Sequence, residues 1–163
     1  MSAGKSPLPA ALEVRELLEG LLGRDVDAEV GTPPVDTRVP NGATVAAYVD
    51  DQLGLRALVL MDLELTAYSG AAIALLPAVG ANQAITNGMI TPALYDNAAE
   101  ILNIMASLFT KDDAPHVRLY EAYPPRETLP GDIQRWLLAY VPRLDVRLTV
   151  AGYGTGNLSV LVV

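Results

Sequence analysis

The sequence predicts a single α+β domain with a pseudo-symmetric sheet of about six strands and about three main helices. A length of 163 residues suits one domain, and 51% hydrophobic residues with 6% aromatic ones supply an aliphatic core. The same order of elements, helix, strand and hairpin, occurs twice, so the chain divides into two αβββ-type halves joined by a further helix. We expect the domain to span residues 8–163, after a disordered lead at 1–7.

The first half begins with a predicted helix over 8–22 that ends at Gly23. Its buried side is expected to carry Leu8, Leu12, Leu17, Leu18, Leu21 and Leu22. The strands of this half are predicted at 26–30, 44–50 and 55–62. Asp62 is placed to cap the joining helix, over 63–76.

The second half begins with a predicted helix over 91–111, because Thr91 is a good N-cap and Pro92 suits the first turn. Its apolar positions form two adjacent stripes, which are Leu94, Ala98, Ile101, Met105 and Leu108, and Tyr95, Ala99, Leu102, Ala106 and Phe109. Together they make a face wide enough to pack on a sheet.

A third stripe of this helix is polar and consists of Asp96, Glu100, Asn103 and Ser107. At about 100° per residue these four positions span roughly 60°, so a carboxylate and an amide stand one turn apart. On most helices such a face is merely solvated surface. Its spacing is nevertheless the clearest chemical signal in the chain.

The rest of the second half is predicted to be strands at 117–123, 144–152 and 157–163, with a hairpin turn at 153–156. Residues 126–140 fit the repeat poorly, although Pro130 favours a short helix over 132–138. The apolar end of the chain, 158–163, is expected to be a hazardous edge strand unless it is covered.

Composition excludes several classes of function. A formal net charge of −8, with scattered basic residues, argues against nucleic acid and anionic membrane partners. The absence of cysteine removes disulfides and thiol chemistry and fits the cytoplasm. Residues 65–95 carry no charge, but Pro77, Gly80 and Pro92 interrupt the run, so we expect no membrane span.

Other candidate sites are weaker. His116 is the only histidine and has no nucleophile elbow to serve. The glycine-rich stretch 152–156 precedes a strand, which favours a hairpin turn over a phosphate loop. The acid pairs at 50–51 and 112–113 lack the oxygen-ligand spacing of a calcium loop and are expected to be solvated.

The spacing Asp96, three residues, Glu100, two residues, Asn103 resembles the mark of the CheC/CheX family of chemotaxis phosphatases, and of CheX in particular. The resemblance extends over 8–163 in the order of elements and implies a mixed sheet. Two departures stand out. Ser107 replaces a glycine of the family pattern, and Glu16 stands where family members with two active helices have an asparagine, so the first helix should be inactive.

The resemblance implies a cytoplasmic hydrolase of two-component signalling that acts on the phospho-aspartate of a CheY-like response-regulator receiver. Glu100 and Asn103 would be catalytic, and Asp96 and Ser107 would contact the partner. It implies no cofactor of the protein's own, since the receiver supplies Mg²⁺, and it implies a homodimer. The alternative is a CheX-like module that binds a receiver or motility component without catalysis, which Ser107 and the unusual 126–140 segment motivate.

Overall fold

A computed structural model describes residues 4–111 and 113–163. The helices are α1 (Ala11–Leu22), α2 (Leu63–Ile73), α3 (Ala78–Asn87), α4 (Pro92–Ile104) and α5 (Gly131–Leu137), with a 3₁₀ segment at Met105–Phe109. The strands are β1 (Val26–Val30), β2 (Ala43–Val49), β3 (Leu55–Asp62), β4 (Arg118–Tyr123), β5 (Arg143–Val150) and β6 (Gly154–Val162). The start of the predicted lead, 1–3, and Asp112 of the second acid pair lie outside the described residues.

The six strands form one sheet in the order β1-β5-β6-β3-β2-β4. Exchanging β1 with β4, β2 with β5 and β3 with β6 reproduces this order reversed, so the sheet has the predicted pseudo-symmetry and the α+β fold of two αβββ-type halves is confirmed. Every pairing among the described strands is antiparallel, which corrects the expectation of a mixed sheet. Each half contributes a hairpin, β2–β3 or β5–β6, and its first strand pairs with the hairpin of the other half, β1 with β5 and β4 with β2. The last strands of the two halves, β3 and β6, meet at the centre.

One face of the sheet carries α1, α2 and α4 over the main hydrophobic core. Residues on alternate positions of β2, β3 and β6 point into this core, as the two-residue period of a strand requires. Tyr48 and Phe109 are fully buried in it, with ring centroids 5.2 Å apart. The core therefore fixes the helix layer to the sheet, and α4 with it.

The opposite face is covered by the chain's own 31–42 and 126–141 segments, including α5. Ile133 of α5 is buried against the other alternate positions of the sheet, which include Leu58, Leu60 and Leu161. The segment that fits the repeat poorly is thus the cover of the second face. β6 is a central strand between β5 and β3, so the apolar C-terminal stretch is not an exposed edge.

Helix α1 is shorter than predicted and buries only part of the expected leucine face. It begins at Ala11, after the N-cap Ala10 in extended backbone, and Leu8 is left exposed. Leu12 is also exposed, whereas the buried positions are Val14, Leu18 and Leu22. Leu17 and Leu21 pack partly buried against the same core, so the expected leucine face is present in the C-terminal half of the helix.

Helix α2 has the predicted cap but ends early. The Asp62 carboxylate accepts a hydrogen bond from the backbone N–H of Leu65 at 2.8 Å and two from Asn157 of β6, at 2.9 and 3.0 Å. The helix stops at Ile73, and α3, which the sequence analysis did not predict, follows Pro77. No helix of the described residues is both long enough and apolar enough to cross a membrane.

Candidate functional site

Helix α4 begins as the sequence predicts. The Thr91 hydroxyl accepts a hydrogen bond from the backbone N–H of Leu94 at 3.3 Å, and Pro92 occupies the first turn. Of the expected apolar face, Leu94, Ala98, Ile101 and Leu102 are buried. The polar stripe is therefore turned away from the core.

Two contacts brace α4 from below. Asn97 donates a hydrogen bond from Nδ2 to the carbonyl of Gly70 at 3.0 Å, where α2 and α4 come so close that a Cβ on Gly70 would lie 2.3 Å from the carbonyl oxygen of Leu94. Near the other end of the helix, the buried Tyr48 hydroxyl donates to the carbonyl of Leu102 at 2.6 Å. These contacts within the chain hold the helix in position at both ends in the free protein.

The α-helix ends at Ile104 and continues as a 3₁₀ segment, so it is shorter than the 91–111 helix that the sequence predicts. In a longer α-helix the Leu102 carbonyl would accept from the N–H of residue 106, but here it accepts from Tyr48. Ser107 lies in the 3₁₀ segment and is exposed.

Asp96, Glu100 and Asn103 are all exposed on α4, and the α-helix is unbroken between them. One helical turn, about 4.5 Å along the axis, separates Glu100 from Asn103. In the described part of the chain, α4's side-chain hydrogen bonds are made by Thr91 and Asn97, not by these three. A carboxylate and a carboxamide are therefore presented together with their hydrogen-bonding capacity open to a partner.

The exposed stripe that we call the α4 ridge consists of Asp96, Glu100, Asn103 and Ser107. Its surroundings are acidic. Burial, as the largest cause, together with the nearby carboxylates of Glu127, Glu121 and Asp96, raises the pKa of Tyr95 to about 12. Tyr95 therefore stays a neutral phenol at physiological pH. A negative field of this kind favours a partner whose contact surface carries a metal ion or a lysine.

The equivalent helix of the first half, α1, is arranged differently. Glu13 accepts a hydrogen bond from the backbone N–H of Ala10 at 3.1 Å and forms an ion pair with Lys111 at 2.8 Å. The hydrogen bond from Lys111 is the main cause that lowers the pKa of Glu13. Glu16 is exposed and has no amide N–H to donate.

The weaker candidates serve structure or stay isolated. Asp50, expected to be solvated, is 5% exposed: its carboxylate accepts from the backbone of Gln52 and Gly54 and pairs with Arg56 at 2.7 Å, which corrects that expectation. The exposed His116 lies 3.5 Å from Asp51. Among residues 4–111 and 113–163, no three His, Asp or Glu side chains are grouped as metal ligands.

Two cavities are prominent in the described chain. The larger, about 780 Å³, lies under the 34–38 and 126–141 segments on the second face of the sheet. The smaller, about 610 Å³, lies between α3 and the start of α4. The sequence analysis missed this second cavity, although the uncharged run 65–95 was a signal for an apolar surface as well as for a core.

No family model and no curated protein matches this sequence. Solved structures do match in fold. The FliM middle domain from H. pylori has a TM-score of 0.59 at 8% identity, over 93% of this chain and 84% of that one. The FliM middle domain from V. alginolyticus has a TM-score of 0.55 at 12% identity, over 93% and 86% of the two chains.

A further match comes from the CheX–CheY complex with BeF3 and Mg²⁺ from Borrelia burgdorferi. The TM-score is 0.50 at 12% identity, and the alignment covers 94% of this chain and 97% of that one. Because nearly the whole of each chain is aligned, the likeness concerns the complete domain and not a shared substructure. The chain therefore has the CheX-like fold, which the CheX and FliM middle-domain structures share.

Proposed function

We propose that this protein is a phosphatase for the phospho-aspartate of a CheY-like receiver domain in chemotaxis or motility signalling. The observation that carries the proposal is the exposure of Glu100 and Asn103, one turn apart, on a helix braced at both ends. A solvated helix face needs neither this spacing nor this bracing. Insertion into another protein's phosphorylated pocket needs both, since misplacement by about 1 Å can cost roughly 100-fold in rate.

Asn103 is proposed to position the attacking water. Its amide oxygen accepts a hydrogen bond from the water while the NH₂ group donates elsewhere, which holds the water in line with the phosphorus. The water oxygen bonds to phosphorus as the bond from phosphorus to the aspartyl oxygen breaks. The products are inorganic phosphate and a carboxylate, and the water's proton passes to phosphate or solvent. Since a carboxylate leaves without protonation, no general acid is required.

Glu100 is proposed to set the register of docking by pairing with the lysine of the receiver. Asp96 and Ser107 are proposed to make flanking contacts at the two ends of the α4 ridge. The receiver brings its own Mg²⁺, which neutralises charge on the phosphoryl oxygens. The protein itself is proposed to need no cofactor.

A second candidate is a module that binds a receiver or motility component without hydrolysis. The higher TM-scores of the FliM middle domains, 0.59 and 0.55 against 0.50 for CheX, favour it, as does Ser107 in place of a glycine. One solved FliM structure is a complex with FliG, so a motility protein is a reasonable alternative partner. The two candidates differ in whether Asn103 changes the lifetime of a phosphorylated receiver.

The test is the half-life of a phosphorylated CheY-type receiver from the same organism, measured with and without the protein. We expect the parent to shorten the half-life, Asn103→Ala to lose about 100-fold of that effect and Glu100→Ala to weaken both hydrolysis and binding. Glu16→Ala, an exposed acid on the equivalent helix, is the matched control and should change nothing. Binding is measured separately with the beryllofluoride-loaded receiver, which Asn103→Ala should still bind.

Faster decay that disappears with Asn103 supports the enzyme. Binding with an unchanged half-life supports the module and overturns the phosphatase. A cytoplasmic location is proposed with the phosphatase, since its partner is a receiver domain.

A homodimer is also proposed, on the resemblance. Both faces of the sheet are covered by the chain's own segments, so a dimer formed through the sheet would pair at an outer strand, β1 or β4. Sedimentation of the purified protein tests this, and a monomer at high concentration contradicts it.

A further inference from the structure

The smaller cavity is an open groove whose lining residues are all uncharged, on a protein of net charge −8. We name it the α3–α4 groove, after walls that include Leu76, Pro77, Val79, Met89, Pro92 and Ala93. Val79 and Met89 are 61% and 65% exposed. Exposed apolar side chains gathered along one groove point to an interaction surface.

The walls of the groove are held in place by side-chain hydrogen bonds from outside it. Tyr68 donates to Asn82 of α3 at 2.9 Å, Tyr153 donates to the carbonyl of Leu76 at 2.6 Å, and Arg126 donates to the carbonyl of Gly88 at 2.7 Å. The groove is therefore formed in the free protein. A partner that fills it loses little affinity to ordering the chain.

Leu75 immediately precedes the groove residue Leu76. Its left-handed backbone and its exposed side chain are both unfavourable for a leucine. Helix α3 ends at Gly88 with φ 65°, the left-handed backbone that glycine adopts at least cost. Helix α2 ends with the same hydrogen-bond pattern, but the left-handed residue is Leu75, at φ 56°, and it is 76% exposed. A bulky residue that costs stability in both backbone and solvation points to a binding role.

The groove is continuous with the α4 ridge. At about 100° per residue, Pro92 and Ala93 fall in the same sector of the helix as Glu100 and Asn103. The distance along the axis from Pro92 to Asn103 is about 16 Å. A partner that buries a standard area of about 800 Å² on this side spans roughly 30 Å, so it reaches both features.

We propose that the receiver domain whose phospho-aspartate Asn103 addresses also seats an uncharged apolar part of its surface in the α3–α4 groove, beside Leu75. This inference rests on the proposed function. The groove lies away from the reacting atoms, so it contributes binding that is equal in the ground state and the transition state. It therefore sets KM and leaves kcat unchanged.

The experiment compares Leu75→Gly and Met89→Ser with the parent, using the beryllofluoride-loaded receiver for Kd and the phosphorylated receiver for kcat and KM. We expect each variant to weaken Kd and raise KM about tenfold, which is the loss expected for one apolar anchor, with kcat unchanged. Leu75→Gly should not lower Tm, because glycine suits the left-handed position. Weakened binding by a fully folded variant excludes a merely structural role.

Leu53→Gly is the matched control. Leu53 is also left-handed, at φ 64°, and 58% exposed. It lies in the β2–β3 turn, whereas Tyr153, which contacts the groove, lies in the β5–β6 turn at the opposite end of the sheet. Its Kd for the receiver should equal that of the parent.

An unchanged Kd for both groove variants, while the parent binds and hydrolyses through Asn103, overturns this inference and leaves the proposed function standing. If both groove variants weaken Kd as expected but the parent does not hydrolyse the phosphorylated receiver, the proposed phosphatase activity is overturned and the groove inference stands. If the same variants abolish self-association of the protein but not receiver binding, the occupant is a second copy and the inference is wrong.

Discussion

Helices α1 and α4 hold equivalent places in the two halves of the domain, but their exposed polar residues differ in whether other parts of the chain bind them. On α1, Glu13 is bound by Lys111 and by the backbone of Ala10. On α4, Glu100 and Asn103 are exposed without such partners in the described chain. The repeat of the backbone is maintained by apolar periodicity, whereas the site depends on a few exposed residues that packing does not constrain.

The largest effect, on receiver hydrolysis, is expected when Asn103 is removed from α4 and an asparagine is placed at position 16 of α1. Glu16→Asn in an Asn103→Ala background should leave hydrolysis about 100-fold below the parent, because Glu13 remains held by Lys111 and cannot meet the receiver. The half-life of the phosphorylated receiver measures this. Recovery of most of the parent rate would mean that the two helices are interchangeable and that the comparison is wrong.

Asp62, which connects the two halves of the sheet, should make the unfolding free energy depend on pH. Asp62 links β3 to β6, and burial raises its pKa to about 6 although the N–H groups of Leu65 and Asn157 oppose the rise. The folded state thus holds a proton that the unfolded state releases near pH 3.8, so this residue's contribution to stability falls as pH rises from about 4 to 6 and then stays low.

Asp62→Asn isolates that contribution. A rise in pKa from 3.8 to about 6 corresponds to about 3 kcal/mol. The parent should lose about this much unfolding free energy relative to the variant between pH 4 and pH 7, by urea denaturation. Taking the difference cancels the opposite trend from Asp50, whose pKa is lowered chiefly by Arg56. A difference that does not vary with pH would contradict the assignment.

The buried hydrogen bond from Tyr48 to α4 should contribute more to the unfolding free energy than the exposed ion pair between Glu13 of α1 and Lys111. Tyr48→Phe removes the hydrogen bond to the Leu102 carbonyl and leaves that buried oxygen with one partner fewer. We expect a loss of about 1–2 kcal/mol in unfolding free energy. Tyr140→Phe, at a fully exposed tyrosine, is the control and should show none.

The smallest effect is expected when the ion pair between Lys111 and Glu13 of α1 is removed. Both side chains are partly exposed, 52% for Lys111 and 39% for Glu13, so Lys111→Met should cost about 0.5 kcal/mol or less. The loss should shrink further in high salt because solvent-exposed charges are screened. Receiver hydrolysis should not change, and a fall in rate would place α1 in the site.

Much of the fold could be predicted because its signals are local. The Thr91-Pro92 start of α4, the Asp62 cap of α2 and the apolar run of β3 need only neighbouring residues to be recognised. The missed helix α3 shows the limit of such signals. Proline and glycine within residues 77–88 suggested interruption, whereas Pro77 in fact starts a helix and Gly88 ends it.

The candidate site divides in the same way. Its residues were named by spacing along one helix, and the exposure of Glu100 and Asn103 matches that interpretation. The change of α4 to a 3₁₀ segment after Ile104 was not predicted, and the Tyr48 side chain that binds the Leu102 carbonyl there comes from more than fifty residues away in sequence. The burial of Asp50 in its own hairpin was also missed.

The sequence by itself determined the order of the elements and the polar stripe of α4, because hydrophobic period and capping residues act within a few positions of the chain. Only the tertiary structure decided that β6 lies at the centre of the sheet, that residues 126–141 cover its second face, and that α3 and α4 enclose an apolar groove. Those outcomes depend on which distant surfaces bury one another, and a hydrophobic residue carries no mark of the partner that will cover it.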